Sequence, residues 1–438
     1  MITAPLKKVA FYTLGCKTNQ YDTEAMQEEF KRNGYQIVGF EEISDVYVVN
    51  TCTVTNLGDR KSRQMIRRAH RNNPYGIIAV VGCYAQQAAE EVLSIPGVKV
   101  AVGTKNRKKI VEYVEMAAAT NSSINAVEDI MKVREFEDTP IESFIGKTRG
   151  VLKIQEGCNQ YCSYCIIPYA RGPVRSRKPE SVLEEVNRLA AAGFKEIVLT
   201  GIHIASYGRD LKNTNLLDLL VKIHLVNGIE RVRLGSLEPT LLSDEFIQTV
   251  KKLPKVCRHY HISLQSGCDA TLKRMHRRYS ASEYKKIVEN LRNQIPETAV
   301  TTDIMVGFPG ETEEEFNETY AFVKDIGFSK IHVFSYSPRK GTPAASYDDQ
   351  APADVKNTRS KKLIALGHDL EQAFMNRWMN RQVKVLFEEV HPEKDGYYEG
   401  YTEQYIRVAV PGDARLEGKL LNVYTEKIEK DCLVGRLI

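Results

Sequence analysis

Nowhere in the 438 residues is there a run of about twenty apolar side chains, so no stretch has the composition of a membrane-spanning helix. The opening residues, Met1-Ile2-Thr3-Ala4-Pro5-Leu6-Lys7-Lys8, lack a long apolar region and a small-residue cleavage site. The expectation is therefore a soluble, cytoplasmic protein without a membrane partner. A strong excess of one charge is missing too, since 61 Lys and Arg face 56 Asp and Glu, and a net +5 neither requires nor excludes a nucleic-acid partner. No repeat of the helical-solenoid kind is found. Nine cysteines are present, and in a reducing cytosol they are not expected to pair as disulfides, which leaves metal or cluster ligation as their leading use.

A chain of this length exceeds one ordinary core, and three regions are expected. From Lys8 to about Ala117 short apolar runs alternate with helical patterns, as in a parallel sheet built from crossover units. Asn121 to Gly146 is polar and acidic and reads as a linker or surface excursion. From Gly150 the alternation resumes through six strand–helix units, starting with Val151–Gln155 and ending with Lys330–Phe334, which predicts an incomplete (β/α)6 barrel with its working residues at the strands' carboxyl ends. A long helix from Asp354 leads into five short strands punctuated by Gly and Pro, the pattern of a small β-barrel. The fold class is thus α/β, with boundaries expected at 1–120, 121–146 (linker), 147–375 and 376–438.

Cys158, Cys162 and Cys165 stand in Cys-x3-Cys-x2-Cys spacing directly after a predicted strand. Three thiolates can each bind one iron of a cubane and leave the fourth iron open to a substrate. A structural zinc site would need a fourth ligand, and no further Cys or His lies at a suitable spacing in the loop. The spacing resembles that of radical enzymes, in which S-adenosylmethionine chelates the open iron and is cleaved by one electron to a deoxyadenosyl radical. Tyr164, Gly201, Ser236, Glu238, Gln265 and Gly307, in this loop or at strand ends, are the expected cofactor contacts, because glycines admit close backbone approach and polar side chains can bond a ribose or amino group.

Cys16, Cys52 and Cys83 each follow a predicted N-terminal strand, and in a parallel sheet such ends converge on one edge. Shared ligation of a second cluster is expected there. Cys257, Cys268 and Cys432 show no such pattern and are read as structural.

Together these features resemble the methylthiotransferase family over nearly the whole chain. The likeness rests on Thr13-Leu14-Gly15-Cys16-Lys17-Thr18-Asn19-Gln20-Tyr21-Asp22, Asn50-Thr51-Cys52-Thr53-Val54, Gly82-Cys83, and the three-cysteine loop continuing to Ile166-Ile167-Pro168-Tyr169-Ala170-Arg171-Gly172. It continues in His261-Ile262-Ser263-Leu264-Gln265-Ser266-Gly267, Asp303-Ile304-Met305-Val306-Gly307-Phe308-Pro309-Gly310-Glu311-Thr312 and Tyr336-Ser337-Pro338-Arg339-Lys340-Gly341-Thr342-Pro343-Ala344. The resemblance implies an N-terminal methylthiotransferase domain, a radical domain and a C-terminal TRAM domain. It also implies two [4Fe–4S] clusters, S-adenosylmethionine as radical source and methyl donor, tRNA as partner, and an electron donor such as a flavodoxin or ferredoxin; it leaves the sulfur source open.

Of three branches, acting on threonylcarbamoyl-adenosine in tRNA, on isopentenyl-adenosine in tRNA, or on a ribosomal-protein aspartate, the Cys16, Cys52 and Gly201-Ile202-His203 stretches look most like the first. Its substrate carries a carboxylate, for which Arg171, His203, Arg233 and Arg339 are the candidate partners. The segments 59–71, 171–178 and 273–278 are basic enough to follow RNA phosphates, and Tyr397, Tyr398, Tyr401 or Tyr405 would add aromatic contact. The competing class is a non-enzymatic, cluster-carrying RNA scaffold.

Overall fold

Runs of Val, Ile and Ala bounded by Gly or Asn suit strands buried on both faces. In the computed structural model, which describes residues 7–139, 141 and 148–438, such runs form β1 (Lys8–Thr13), β2 (Gln36–Val38), β3 (Val46–Thr51), β4 (Ile77–Gly82), β5 (Val98–Val102) and β6 (Ile124–Asn125). These make one parallel sheet in the order β2-β1-β3-β4-β5-β6. Helix α1 (Lys17–Arg32) packs Met26 and Phe30 on one face, and α2 (Asn56–Asn72) packs Met65, Ile66 and Ala69 on the other. The carboxyl ends of β1, β3 and β4 therefore share an edge.

The segment expected as a linker or surface excursion keeps most of its described residues exposed but is anchored at a few points. It supplies β6, and Ile130, Glu137 and Ile141 are buried. Ile130 and Ile141 are spent on burial, and Glu137 is neutralised by Arg107 at 3.4 Å, so low apolar content did not mean a free tether. Residues 140 and 142–146 of that segment, residue 147 and the opening residues 1–6 lie outside the described residues.

The central strands are β7 (Arg149–Glu156), β8 (Arg175–Ser176), β9 (Glu196–Gly201), β10 (Arg231–Leu234), β11 (His259–His261), β12 (Ala299–Val306) and β13 (Lys330–Ser335). They form two sheets, β10-β9-β7-β8 and β11-β12-β13. Single bridges Val232–Val256 and Leu237–Ile262 join them, so six parallel strands curve into an open arc with the antiparallel β8 at its edge. One continuous apolar core fills the arc and the helices around it.

The long helix Ala353–Asn376 runs along β13, and its last turn contributes Phe374 and Met375 to the next core. There β14 (Gln382–Val390), β15 (Tyr397–Tyr401), β16 (Arg407–Pro411), β17 (Leu420–Glu429) and β18 (Cys432–Leu437) close a barrel. Gly400 is required at its tightest point, because a Cβ there would lie 1.9 Å from the Leu386 carbonyl oxygen. Among the described residues no helix is long and apolar enough to cross a membrane.

Candidate active site

The loop after β7 is fixed at both ends by backbone hydrogen bonds. Gly157 has φ +76°, and a Cβ would fall 1.9 Å from the Pro173 carbonyl oxygen, so only glycine lets the chain turn there. The Cys158 amide donates to the Gly172 carbonyl (3.0 Å), Ser163 to Met275 (3.1 Å), and Ala344 to Ser163 (2.8 Å). Cys158 and Cys162 are buried and Cys165 is half-buried. Burial pushes the Cys158 thiol up to about 11 and the Cys165 thiol up to about 12, with the charge of Cys162 adding to both. Arg277 offsets this, donating to Cys162 Sγ at 3.4 Å while Glu238 holds it from the other side at 2.9 Å.

The second triad gathers as the parallel sheet requires. Cys16 precedes α1, Cys52 follows β3, and Cys83 opens α3 (Cys83–Gln87) after β4. Two asparagines tie the strand ends. Asn19 donates to the Leu14 carbonyl (2.6 Å) and the Thr51 carbonyl (3.0 Å), and Asn50 donates to the Asn19 carbonyl (2.9 Å). A Cβ on Gly15 would lie 2.9 Å from Cys52 Cβ, so the segment before Cys16 touches Cys52. Burial pushes the Cys83 thiol up to about 11, and the charges of Cys52 and Cys16 raise it further. Arg171 opposes this, donating from Nε to Cys83 Sγ at 3.1 Å.

Both donor sets suit a cluster. Each is thiol-only, partly shielded from water, and backed by a guanidinium that offsets thiolate charge. Among the described residues no group of three or more His, Cys, Asp or Glu closes tightly enough to hold one metal ion, and a cubane spreads its thiolates wider than a tetrahedral ion does.

Three of the four residues expected to meet a substrate carboxylate are engaged elsewhere. Arg171 is fully buried and bonds Asp22 (3.1 Å), Glu156 (2.8 Å) and Asn19 as well as Cys83. Arg233 makes a fork to Glu196 (2.7 and 3.2 Å) and donates to the Thr402 and Glu403 carbonyls of the barrel. Arg339 spans to Thr53, Asn56 and Asp59 of the first region, each at 2.6 Å. These arginines are struts between regions, since burying them required partners from facing elements. His203 remains near the strand ends, its Nδ1 2.7 Å from Ser206 Oγ and its Nε2 3.6 Å from Glu238.

The expected cofactor contacts divide similarly. Gly201 and Ser236 line a cavity of about 620 Å³, Tyr164 packs edge-on against Phe308, and Gln265 takes a left-handed φ of 71°. Gly307 is left-handed too, but its N–H already donates to Glu311 at 2.5 Å, and Glu311 in turn binds Arg359 at 2.8 Å. Glu311 stands outside the helix that follows, which starts at Glu313 and is capped by Thr312.

The cavity opens where the three regions meet. Cys16 and Lys17 from the first, Gly201, Ser236 and His261 from the arc, and Tyr405 from the barrel all face it. Tyr401 and Tyr405 stack at 4.8 Å on its wall, while Tyr398 sits in the barrel core and Tyr397 lies beneath Lys394.

Of the basic segments, 171–178 turns inward, with Arg171, Arg175 and Arg177 buried, and Arg277 of 273–278 points at Cys162. Only α2 presents a continuous basic face, where Arg60, Arg63, Arg67 and Arg71 border a shallow groove at three- and four-residue spacing. Asn19 and Asn50 escaped sequence reasoning, although buried polar side chains beside a ligand residue were the available signal.

Residues 152–323 match the model of the radical SAM superfamily and residues 8–103 that of the uncharacterized protein family UPF0004. The chain is 47% identical over 418 residues to a threonylcarbamoyladenosine tRNA methylthiotransferase, MtaB, of Bacillus subtilis (strain 168), covering 95% of this chain and 93% of that one. It is 38% identical to a protein of the same name from Aquifex aeolicus (strain VF5), with coverage of 95% and 99%. A tRNA-2-methylthio-N(6)-dimethylallyladenosine synthase of Clostridium novyi (strain NT) is 35% identical, with coverage of 99% and 97%. Among solved structures, the radical S-adenosylmethionine methyltransferase TsrM of Kitasatospora setae shares the fold, with a TM-score of 0.59 at 15% identity over 78% of this chain and 77% of that one.

Proposed function

Because this chain belongs to the radical SAM methylthiotransferase family, we propose that it places a methylthio group on C2 of N6-threonylcarbamoyladenosine beside the anticodon of tRNA. The observation that carries the reading is the pair of separate thiol triads, one at each sheet's strand ends, in a chain whose two most similar named relatives above carry that activity in their names.

Cys158, Cys162 and Cys165 would hold one [4Fe–4S] cluster and Cys16, Cys52 and Cys83 the other. When bound, the clusters and S-adenosylmethionine supply a hydrogen-abstracting radical and a sulfur bearing a donated methyl, chemistry apt for an aromatic carbon with no acidic proton. The protein's own part is charge balance and shape. Arg277 and Arg171 neutralise thiolate charge, Glu238 fixes Arg277, and His203 stands ready to bond a ribose or amino group. Tyr164, Gly201, Ser236, Gln265 and Gly307 complete the proposed cofactor surround.

Transfer RNA would lie along α2, whose arginine face can follow a phosphate backbone, and reach the cavity past the barrel. A flavodoxin- or ferredoxin-like protein in the cytoplasm would deliver the electrons. Nucleoside mass spectrometry of tRNA from cells lacking the protein tests the reading: 2-methylthio-N6-threonylcarbamoyladenosine should vanish, leaving its unthiolated precursor. Loss of the methylthio form of isopentenyl-adenosine instead would move the chain to the other tRNA branch.

A further inference from the structure

Among the described residues four Lys and Arg side chains line the cavity, and three have carboxylate partners. Arg233 is bound by Glu196, Lys330 pairs with Glu371 at 2.7 Å, and Arg407 pairs with Glu399 and Asp431. The fourth is Lys17, the residue after Cys16. Among the described residues it makes no ion pair; its ammonium lies 5.9 Å from the centre of the Tyr405 ring. That ring is shared with Arg149 at 5.3 Å and Arg233 at 4.6 Å, and the acids nearest those arginines, Glu388 and Glu196, are already committed to them. Lys17 is therefore, among the described residues, the one of these four cations without a carboxylate of its own, and the pocket presents it to an anionic guest.

The geometry points to Lys17 as the residue that binds the carboxylate of the substrate's threonylcarbamoyl group and so sets the choice among modified adenosines. The inference rests on the reading under Proposed function. A urea on N6 can turn its outer N–H toward N1 and close a six-membered hydrogen-bonded ring. The threonine carboxylate then lies along the N1 edge of adenine, the edge that also carries C2. A cation one residue from Cys16 is thus placed where the carboxylate must go when C2 faces the Cys16 side of the cavity. A neutral isopentenyl group has nothing to offer Lys17 and would leave its charge unpaired, which disfavours that substrate. Arg171 and Arg233 cannot serve this role without abandoning buried carboxylates, nor Arg339 without abandoning Thr53 and Asp59.

The test measures binding by the reconstituted holoprotein of anticodon stem–loops carrying threonylcarbamoyl-adenosine, its methyl ester, or unmodified adenosine. Wild type should prefer the acid over the ester by about ten- to a hundredfold, the usual range for a hydrogen bond to a charged group. Lys17→Gln should erase that preference while leaving affinity for the unmodified stem–loop and the iron content unchanged, and Lys17→Arg should retain most of it. If Lys17→Gln keeps the preference, or weakens all three RNAs alike as loss of a phosphate contact does, the carboxylate subsite is overturned. A wild type that methylthiolates the threonylcarbamoyl stem–loop yet binds acid and ester equally overturns the subsite alone. A wild type that ignores this RNA and modifies isopentenyl-adenosine overturns the underlying reading as well.

Discussion

Replacing Arg171 with methionine should loosen the joint between the first sheet and the central arc and weaken the triad at Cys83. Three cations, Arg107, Lys153 and Arg171, are buried there against three carboxylates, Asp22, Glu137 and Glu156. Removing one member of a buried pair costs about 3–5 kcal/mol, because the partner's charge stays behind in a poorly solvating site. Asp22 keeps Arg107 and Lys153, and Glu156 keeps Lys153 at 3.1 Å and Arg107 at 3.3 Å. The lower end, about 3 kcal/mol, is therefore expected, which lowers an unfolding midpoint by roughly 6–12 °C for a unit of 150–250 residues. Cys83 also loses the cation that opposes its raised thiol, so iron bound at Cys16, Cys52 and Cys83 should fall while that at Cys158, Cys162 and Cys165 persists. Scanning calorimetry and iron analysis after anaerobic reconstitution read both effects. Arg171→Lys should fall between, keeping the charge but losing the fork. A methionine variant that melts within about 2 °C of wild type and binds full iron refutes the reasoning.

Alanine at Cys158, Cys162 and Cys165 together should halve the iron of the reconstituted protein and abolish deoxyadenosine release; loss of all iron would contradict two independent sites. Cys52→Ala should still release deoxyadenosine from S-adenosylmethionine but form no methylthio product, and normal product by mass spectrometry would show the second triad dispensable. Charge reversal of Arg60, Arg67 and Arg71 on α2 should weaken tRNA binding and flatten its dependence on salt, and an unchanged salt slope would remove α2 from the RNA path. Asp22 is held below the usual carboxylate range by Arg107, Lys153 and Arg171, which together outweigh its burial. A depressed carboxyl stabilises above its unfolded value of about 3.9 and loses that stabilisation as pH falls below it. The stability gap between the cluster-free wild type and Asp22→Asn should hold from pH 8 to 5 and narrow only below about pH 4; narrowing already between pH 7 and 5, by thermal melts, would contradict this.

What the sequence determined by itself was local. Apolar runs of five or six residues with glycine or asparagine at their ends specify β1, β3, β4 and β9, because burial on two faces and chain reversal are properties of short segments. A cysteine within three residues of such a run, as are Cys16, Cys52 and Cys83, must stand at a strand's carboxyl end, whereas Cys158, Cys162 and Cys165 were marked by their spacing; the open arc and the five-stranded barrel were legible as well. The tertiary structure alone decided what the arginines do. Asp22 and Arg171 are 149 residues apart, as are no two partners that a helical or strand period could pair, and a long flexible side chain offers no periodic signal of its direction. Arg171, Arg233 and Arg339 thus read as substrate contacts until facing elements showed them to be bound, and Lys17, indistinguishable in sequence from any surface lysine, acquired its significance only by making no ion pair among the described residues. The anchoring points within residues 121–141 were hidden for the same reason. Composition averages over a stretch, whereas packing uses single side chains such as Ile130 and Ile141, whose partners are chosen by the fold.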